Sequence, residues 1–515
     1  MRLVQSFPGI RVAAFAFALG AATVSGFAPF YLYPLPILAL AALALLWLRT
    51  DKWLAAAGIG FAFGLGLFLT GTSWVYVSLH DFGGMPAVIA AAATFAFCAF
   101  LALFPAAIGA LLVRAPGAPA LKLLLLLPAL WALADWTRSW IFTGFPWLAL
   151  GYSQAPASPL AGYAPVLGVY GVSLASAATA GCLALLVERD RGRRALSAAR
   201  RASAALSDYA LWGGVALLLL GFGLGSREWS QPLPGDATRV ALIQGSIPQD
   251  LKWRPEKARE TLNLYRSLAQ STDAKLVLLP ETALPMFNVD LPHGYLDALA
   301  ERVRANGGDL LTGVPEYAGP GRYYNSVISI GTTETQTYRK VHLVPFGDYF
   351  PLRPVLGWFM DLLDIPMSDF SRGAPDQQPL QAAGQRVAVN ICYEDVFGEE
   401  IIRQLPSATV LANFTNDAWW GRSWASRQHL QISQMRAQET ARVMLRATNT
   451  GVSAIIDERG KVVRAAPEFE TTVIHGEIRG RTGTTPFVRW GNAGMLLLAT
   501  VMIAGALFGA RWRRG

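Results

Sequence analysis

A cysteine, a glutamate and a lysine in the polar part of this 515-residue chain each stand beside a short β-rich run. Cys392 follows the run 387–391 and opens Cys392-Tyr393-Glu394. Glu281 follows 276–279 in Pro280-Glu281-Thr282, and Lys340 lies beside 334–338 in Arg339-Lys340-Val341-His342. These types suit covalent acyl transfer: a thiol as nucleophile, a carboxylate as its base, and a fixed ammonium facing the negative oxygen of a tetrahedral intermediate. Cys98 and Cys182 fall in apolar stretches, so Cys392 has no disulfide partner in the polar region. Such a thiol is either buried and inert or reactive. Its place at a strand-to-helix junction favours reactivity, because a helix N-terminus lowers a thiol pKa. Taken singly, Glu281 reads equally as an exposed strand-end carboxylate and Lys340 as a solvated charge beside Arg339. All three at comparable strand ends are a much rarer coincidence.

The elements that must position them alternate β-rich and helical runs, the pattern of an α/β or α+β domain. Strands are expected at 239–244, 276–279, 309–314, 324–330, 334–338, 387–391, 410–414, 452–456 and 473–477, and helices at 255–271, 294–305, 397–405 and 428–445. The last helix reads as packing. In such domains, side chains carried out of the sheet at strand ends do the chemistry. The run 410–414 is followed by Thr415-Asn416-Asp417-Ala418-Trp419-Trp420-Gly421. Trp419 and Trp420, with Trp253 in another loop, fit either a cover for acyl chains or an ordinary core and interfacial role. Nothing has the His/Cys spacing of a metal site, so neither metal nor cofactor is expected.

The rest of the chain belongs to a different solvent. It is 53% apolar and 15% charged, where a soluble chain carries roughly 25% charged residues. That excludes a purely soluble enzyme, a disordered chain and a disulfide-rich scaffold. Apolar runs near the ~20 residues a bilayer helix needs occur at 12–28, 31–48, 54–79, 86–113, 121–136, 163–187 and 209–225, and an eighth at 490–510. With a cytoplasmic N-terminus, inside segments hold 15 basic residues: Arg2, Arg11, Arg49, Lys52, Arg114, Lys122, six arginines from 189 to 201, Arg511, Arg513 and Arg514. The outside loops before the polar region hold one, Arg138. That asymmetry fixes the orientation. It divides the chain into a seven-span bundle at 1–226, an extracytoplasmic domain at 227–489, and an eighth span with a basic cytoplasmic tail at 490–515. Residues 1–28 read alternatively as a cleaved signal peptide. The polar region has 28 Lys/Arg against 29 Asp/Glu, so the net +9 lies outside it and no nucleic-acid partner is expected. The spans hold almost no ionisable residues, which argues against a transporter, and glycines between 58 and 71 suit close helix packing.

The trio Pro-Glu-Thr (280–282), Arg-Lys-Val-His-Leu-Val-Pro-Phe-Gly (339–347) and Ile-Cys-Tyr-Glu (391–394) resembles the carbon–nitrogen hydrolase (nitrilase) superfamily. Gln-Gly-Ser-Ile-Pro-Gln (244–249), Asn-Phe-Thr-Asn-Asp-Ala-Trp (413–419), Arg-Ala-Thr-Asn-Thr-Gly (446–451) and Trp-Val-Tyr-Val-Ser (74–78) resemble its apolipoprotein N-acyltransferase branch. The resemblance implies an α-β-β-α sandwich on a multi-pass helical bundle of eight spans in a bacterial inner membrane, with both termini cytoplasmic and the catalytic domain periplasmic. It implies acyl transfer from a phospholipid to the α-amine of a diacylglyceryl-cysteine apolipoprotein. Cys392 would be the nucleophile, Glu281 the base and Lys340 the oxyanion stabiliser. Glu394 would be a supporting carboxylate, and the Tyr393 backbone N–H would help hold the oxyanion. The family commonly has Glu where this chain has Asp348, so the auxiliary carboxylate beside Lys340 is one methylene shorter. A membrane-bound amidase with the same trio, and a receptor with a degenerate hydrolase domain, are the competing readings.

Overall fold

The structure, a computed structural model, describes residues 9–193, 200–349 and 369–512. Arg2, Arg513, Arg514 and the side chains of the arginines from 189 to 201, which carry part of the orientation argument, lie outside the described residues. Two compact units emerge. One comprises Met1–Ser73, Ala91–Arg227 and Trp490–Gly515, the other Trp74–Ala90 and Glu228–Arg489.

The first unit is helical. Among the described residues, six helices are long and apolar enough to cross a membrane: Trp53–Gly71, Ala87–Arg114, Pro119–Arg138, Pro159–Glu188, Tyr209–Ser226 and Ala493–Arg511. The first two expected spans are shorter apolar helices, Ile10–Gly26 and Pro34–Trp47. Prolines shorten them: Pro29 sits in the intervening turn and Pro34 at the start of the second helix. The 54–79 run also stops early, at Gly71. Thr72 turns its hydroxyl back onto the Phe68 carbonyl (2.7 Å), and the residues from Trp74 onward join the second unit instead. The expected close packing is present. A Cβ on Gly20 would lie 1.9 Å from the Phe63 carbonyl, and one on Gly66 2.0 Å from that of Phe17. Only hydrogen side chains permit that approach. Arg138, expected in a loop, ends a helix and pairs with buried Asp135 at 2.8 Å; Asp135 also accepts from Ser173 and the Leu150 N–H.

The second unit is built on strands numbered here in chain order. They are β1 (Ser230–Pro232), β2 (Thr238–Gln244), β3 (Leu276–Leu278), β4 (Asp309–Tyr317), β5 (Tyr323–Gly331), β6 (Gln336–Arg339) and β7 (Leu380–Ala382). Then come β8 (Gln385–Ile391), β9 (Val410–Thr415), β10 (Met444–Thr448), β11 (Ala454–Ile456), β12 (Val462–Ala465), β13 (Thr472–Ile478) and β14 (Arg481–Gly483). Two six-stranded mixed sheets run β13-β2-β3-β4-β5-β6 and β12-β11-β10-β9-β8-β7. In each, three central strands are parallel: β2, β3 and β4 in one, β8, β9 and β10 in the other.

Alternation along these strands explains their continuous apolar runs. Val240 and Leu242 of β2 join Leu276, Leu278, Val389, Ile391, Val410 and Phe414 in a core drawn from both sheets. Ala241 and Ile243 turn the other way, onto Leu262 and Tyr265 of the Pro255–Gln270 helix and Leu299 of the Tyr295–Ala305 helix. The opposite face of the second sheet packs Leu411 and Met444 on Ile401, Leu430 and Ala437.

Several boundaries depart from the expected ones; the 309–314 strand runs on to Tyr317 and the 452–456 strand starts at Ala454. The helix expected at 428–445 is Ala425–Thr440, ended by Ala441 in the left-handed region (φ +50°), and its last expected residues start β10. That strand is absent from the sequence expectation, which carried the helix into its first two residues. The 397–405 helix is one turn, Gly398–Ile401, and a 3₁₀ turn, Ile402–Gln404. The strand expected at 334–338 starts at Gln336 and reaches Arg339.

Phe414 is fully buried in the core between the sheets. Phe414→Ala is expected to destabilise the second unit by about 3–5 kcal/mol, read as a lowered melting temperature in detergent. An unchanged melting temperature would mean that this core does not hold the sheets together.

Candidate active site

Each member of the trio leaves the end of a strand: Glu281 just beyond β3, Lys340 directly after β6 and Cys392 directly after β8. Cys392 has φ +54° and Thr282, next to Glu281, φ +44°. L-residues, β-branched threonine above all, rarely adopt that region, and such strain persists only where the surroundings over-determine it. Behind Glu281 the backbone of Gly313 comes so close that a Cβ there would meet the Thr282 nitrogen at 2.4 Å and the Glu281 Cα at 2.7 Å.

Glu281 is 7% exposed and saturated with donors. Its Oε1 accepts from Asn325 Nδ2 (2.7 Å) and Lys340 Nζ (3.5 Å), and its Oε2 from the Asn416 backbone N–H (2.9 Å). Asn325 also accepts the Lys340 backbone N–H at 2.8 Å, so one β5 residue sets base and cation relative to each other. Lys340 is 1% exposed and bonds Asp348 Oδ2 at 2.7 Å. Burial opposes its charge, but Asp348 first and Glu281 next outweigh burial and hold its pKa above the ordinary lysine range. The shorter Asp348 therefore reaches the lysine. The same oxygen accepts the Val344 N–H at 2.8 Å, which fixes the turn that carries it.

The Cys392 thiol differs from the expectation of a depressed pKa. Burial pushes it well above the ordinary thiol value and Glu281 adds to that, while Lys340 and a hydrogen bond with Thr415 pull it back. The helical segment it opens is a five-residue 3₁₀ turn, Cys392–Val396, too short to supply much dipole. A thiol raised in this way could act as a nucleophile only with a base beside it.

Glu394 ties the nucleophile to the lysine. Its Oε2 accepts the Ile391 N–H (2.6 Å) and the Tyr338 hydroxyl (3.1 Å), and its Oε1 the N–H groups of Val341 (2.6 Å) and His342 (3.0 Å). Burial raises its pKa to about 7 against those backbone bonds. One side chain thus joins the end of β8 to the segment after β6. Tyr393 packs edge-on against Phe397 and His342.

Beneath Cys392 lies a water-excluded polar network that the sequence reading did not find. Asn413 Nδ2 donates to the Cys392 carbonyl (3.1 Å) and its Oδ1 accepts from Arg446 Nη1 (2.6 Å). Arg446 Nη2 reaches Asp417 Oδ2 (2.9 Å) and the His429 ring (2.9 Å), while Ser433 hydrogen-bonds Asp395. Burial acts to raise the Asp417 pKa, but Arg446 and His429 bring it down to about 2. So the Ala425–Thr440 helix, expected to be mere packing, sends His429 and Ser433 under the nucleophile. The available signal was Arg446 inside an otherwise apolar run.

The three tryptophans part company. Trp420 is buried between the rings of Trp74 and His429, each 5.3 Å away, so it is a packing residue rather than a cover. Trp419 is half-buried against Phe82, and its carbonyl accepts from the Ser78 hydroxyl at 2.9 Å. The Trp74–Ser78 motif thereby abuts the loop that holds Asn416. Trp253 is half-buried beside Lys252, whose Nζ donates to the Glu281 carbonyl at 3.2 Å. Lys252, Asn325 and Asn416 all touch Glu281; Asn416 lies in the 413–419 motif without a role assigned to it, and Lys252 and Asn325 were not singled out from sequence. A lone lysine or asparagine carries no spacing signature.

Comparison with known proteins gives two family matches. Residues 19–182 match the apolipoprotein N-acyltransferase N-terminal domain and residues 239–487 the carbon-nitrogen hydrolase family. The chain is 52% identical over 510 residues to an apolipoprotein N-acyltransferase of Nitrosomonas europaea, covering 97% of this chain and 98% of that one. It is 44% identical over 471 residues to one of Methylococcus capsulatus, covering 90% of each. Among solved structures, an amidase of Nesterenkonia from the nitrilase superfamily aligns over 51% of this chain and 97% of its own, at 18% identity and a TM-score of 0.37.

Gly313→Ala tests whether the geometry behind Glu281 matters. The added methyl must push the Glu281 backbone, and a displacement near 1 Å is expected to lower turnover on the order of 10²-fold. Wild-type turnover of the folded variant would show that the position of Glu281 is not critical.

Proposed function

The chain belongs to the apolipoprotein N-acyltransferase family, and we propose that it performs the transfer in two half-reactions through a thioester on Cys392. Glu281 takes the Sγ proton as the sulfur attacks an ester carbonyl of a phospholipid. The proton passes to the departing lysophospholipid alkoxide, leaving the acyl group on sulfur. The free α-amine of a diacylglyceryl-cysteine then attacks the thioester, Glu281 accepts its proton, and the thiolate is reprotonated. Lys340 faces the negative oxygen in both tetrahedral intermediates; losing such a donor typically costs about 10²–10³ in rate. Asp348 holds Lys340 in place, Glu394 holds the two segments together, and the Tyr393 N–H is a second oxyanion donor.

The observation that carries this reading is the Glu281 carboxylate held between Asn325, Lys340 and Asn416 beside a thiol whose pKa burial has raised. A base is needed there and one is held there. The six long apolar helices make the chain a multi-pass membrane protein. In our reading the two shorter apolar helices complete eight passes, the positive-inside bias places the unit at 227–489 outside the cytoplasm, and the membrane is the bacterial inner membrane. Trp253 and Trp419, both half-buried, are the aromatic residues we assign to the acyl chains.

Steady-state kinetics with varied phospholipid and a diacylglyceryl-cysteine peptide test the scheme. Parallel double-reciprocal lines are expected, and Cys392→Ala should lose transfer entirely. Intersecting lines, or transfer by Cys392→Ala at the normal rate, would overturn it.

A further inference from the structure

The Gln244–Gln249 motif has no part in the steps above. Its last residue begins a single helical turn, Gln249–Lys252. Positions i and i+3 share a face of a helix, and both of these side chains are buried, Lys252 to 3% exposure. Lys252 Nζ donates to the Glu281 carbonyl at 3.2 Å. Gln249 Oε1 accepts from Asn416 Nδ2 at 2.8 Å, and the Asn416 N–H in turn donates to Glu281 Oε2. One helical turn thus grips the base by its backbone and, through Asn416, by its carboxylate.

Charge arithmetic gives Lys252 a second task. Lys340 is shared between Asp348 at 2.7 Å and Glu281 at 3.5 Å. Two carboxylates against one ammonium leave an excess negative charge among largely buried groups. The nearby acids Glu394 and Asp417 have their own partners, three backbone N–H groups and a tyrosine for Glu394 and Arg446 for Asp417, so the uncompensated charge lies in the Glu281–Lys340–Asp348 cluster. The charged or ionisable groups acting on Lys252 are Glu281 and Cys392. A buried ammonium with three donors and a carbonyl for one of them is an expensive choice unless its charge is used.

We propose that Lys252 is a positioning residue for the base, its ammonium fixing the Glu281 backbone and supplying the cation that balances the Glu281–Lys340–Asp348 cluster. The inference rests on the reading of Glu281 as the base. Burial lowers the Lys252 pKa to about 8, with Glu281 and Cys392 opposing the fall. The cation is therefore present at neutral pH and lost as pH rises through that value. Formation of the negatively charged tetrahedral intermediate should become harder at the same point.

The test is single-turnover thioester formation on full-length protein in detergent micelles, with phospholipid and no acceptor, from pH 6 to 10. Wild type should slow above about pH 8. Lys252→Met should form thioester at least roughly tenfold more slowly at pH 7 and lack that alkaline decline, because nothing remains to deprotonate there. Lys252→Arg keeps its charge to far higher pH and should recover rate while moving the decline upward. If Lys252→Arg does not fold, as judged by melting, wild type against Lys252→Met still decides. Wild-type rate in Lys252→Met, or the same alkaline decline in it, would overturn the proposal. Absence of thioester in wild type would instead overturn the reading of Cys392.

Discussion

Two carboxylates meet one ammonium in a space nearly closed to water, and the rest of the site follows from that meeting. Lys340 cannot be deprotonated easily with Asp348 at 2.7 Å and Glu281 at 3.5 Å. Both Glu281 oxygens are engaged, one by Asn325 on β5 and the other by the Asn416 N–H just beyond β9, which limits its drift. Burial, with Glu281 adding to it, pushes the Cys392 thiol above the ordinary thiol range. In the proposed scheme the reactivity of Cys392 comes from its position beside Glu281, not from a depressed pKa.

The fold makes that position possible by bringing two sheets together on a shared apolar core. β3 delivers Glu281 from one sheet, while β8 and β9 deliver Cys392 and Asn416 from the other. No local segment contains the site. It exists only when the sheets are packed, which places catalysis and stability on the same residues, such as the side chains of Ile391 and Phe414. Glu394 and Asn416 cross between strands as hydrogen-bonded ties, and Arg446 anchors the carbonyl of the nucleophile through Asn413. A buried arginine paired with Asp417 is costly to desolvate, and removing either partner would strand a charge.

That Cys392, Glu281 and Lys340 come together was legible in the sequence, because their chemical types are rare at strand ends and the surrounding motifs are long. Six of the eight expected membrane helices were legible by length and apolarity; the first two are shorter apolar helices. What escaped has a common cause: its meaning depends on tertiary partners. Lys252 reads as a surface charge until its amine is found on the Glu281 carbonyl. Arg446 opens a motif read from sequence, but its place in a strand and its pairing with Asp417 show only in the fold. Trp74–Ser78 looked like the end of a membrane span, yet Trp74 packs on Trp420 and Ser78 bonds the Trp419 carbonyl. Trp420, equally legible as a lid, is core.

The account stands on one covalent species. Purified full-length protein incubated with a phospholipid of a single acyl type, without acceptor, should gain the mass of one acyl chain. Digestion should place it on the peptide holding Cys392, and neutral hydroxylamine should remove it. Product formed on later addition of acceptor, with no adduct beforehand or with the acyl group on another residue, would contradict it.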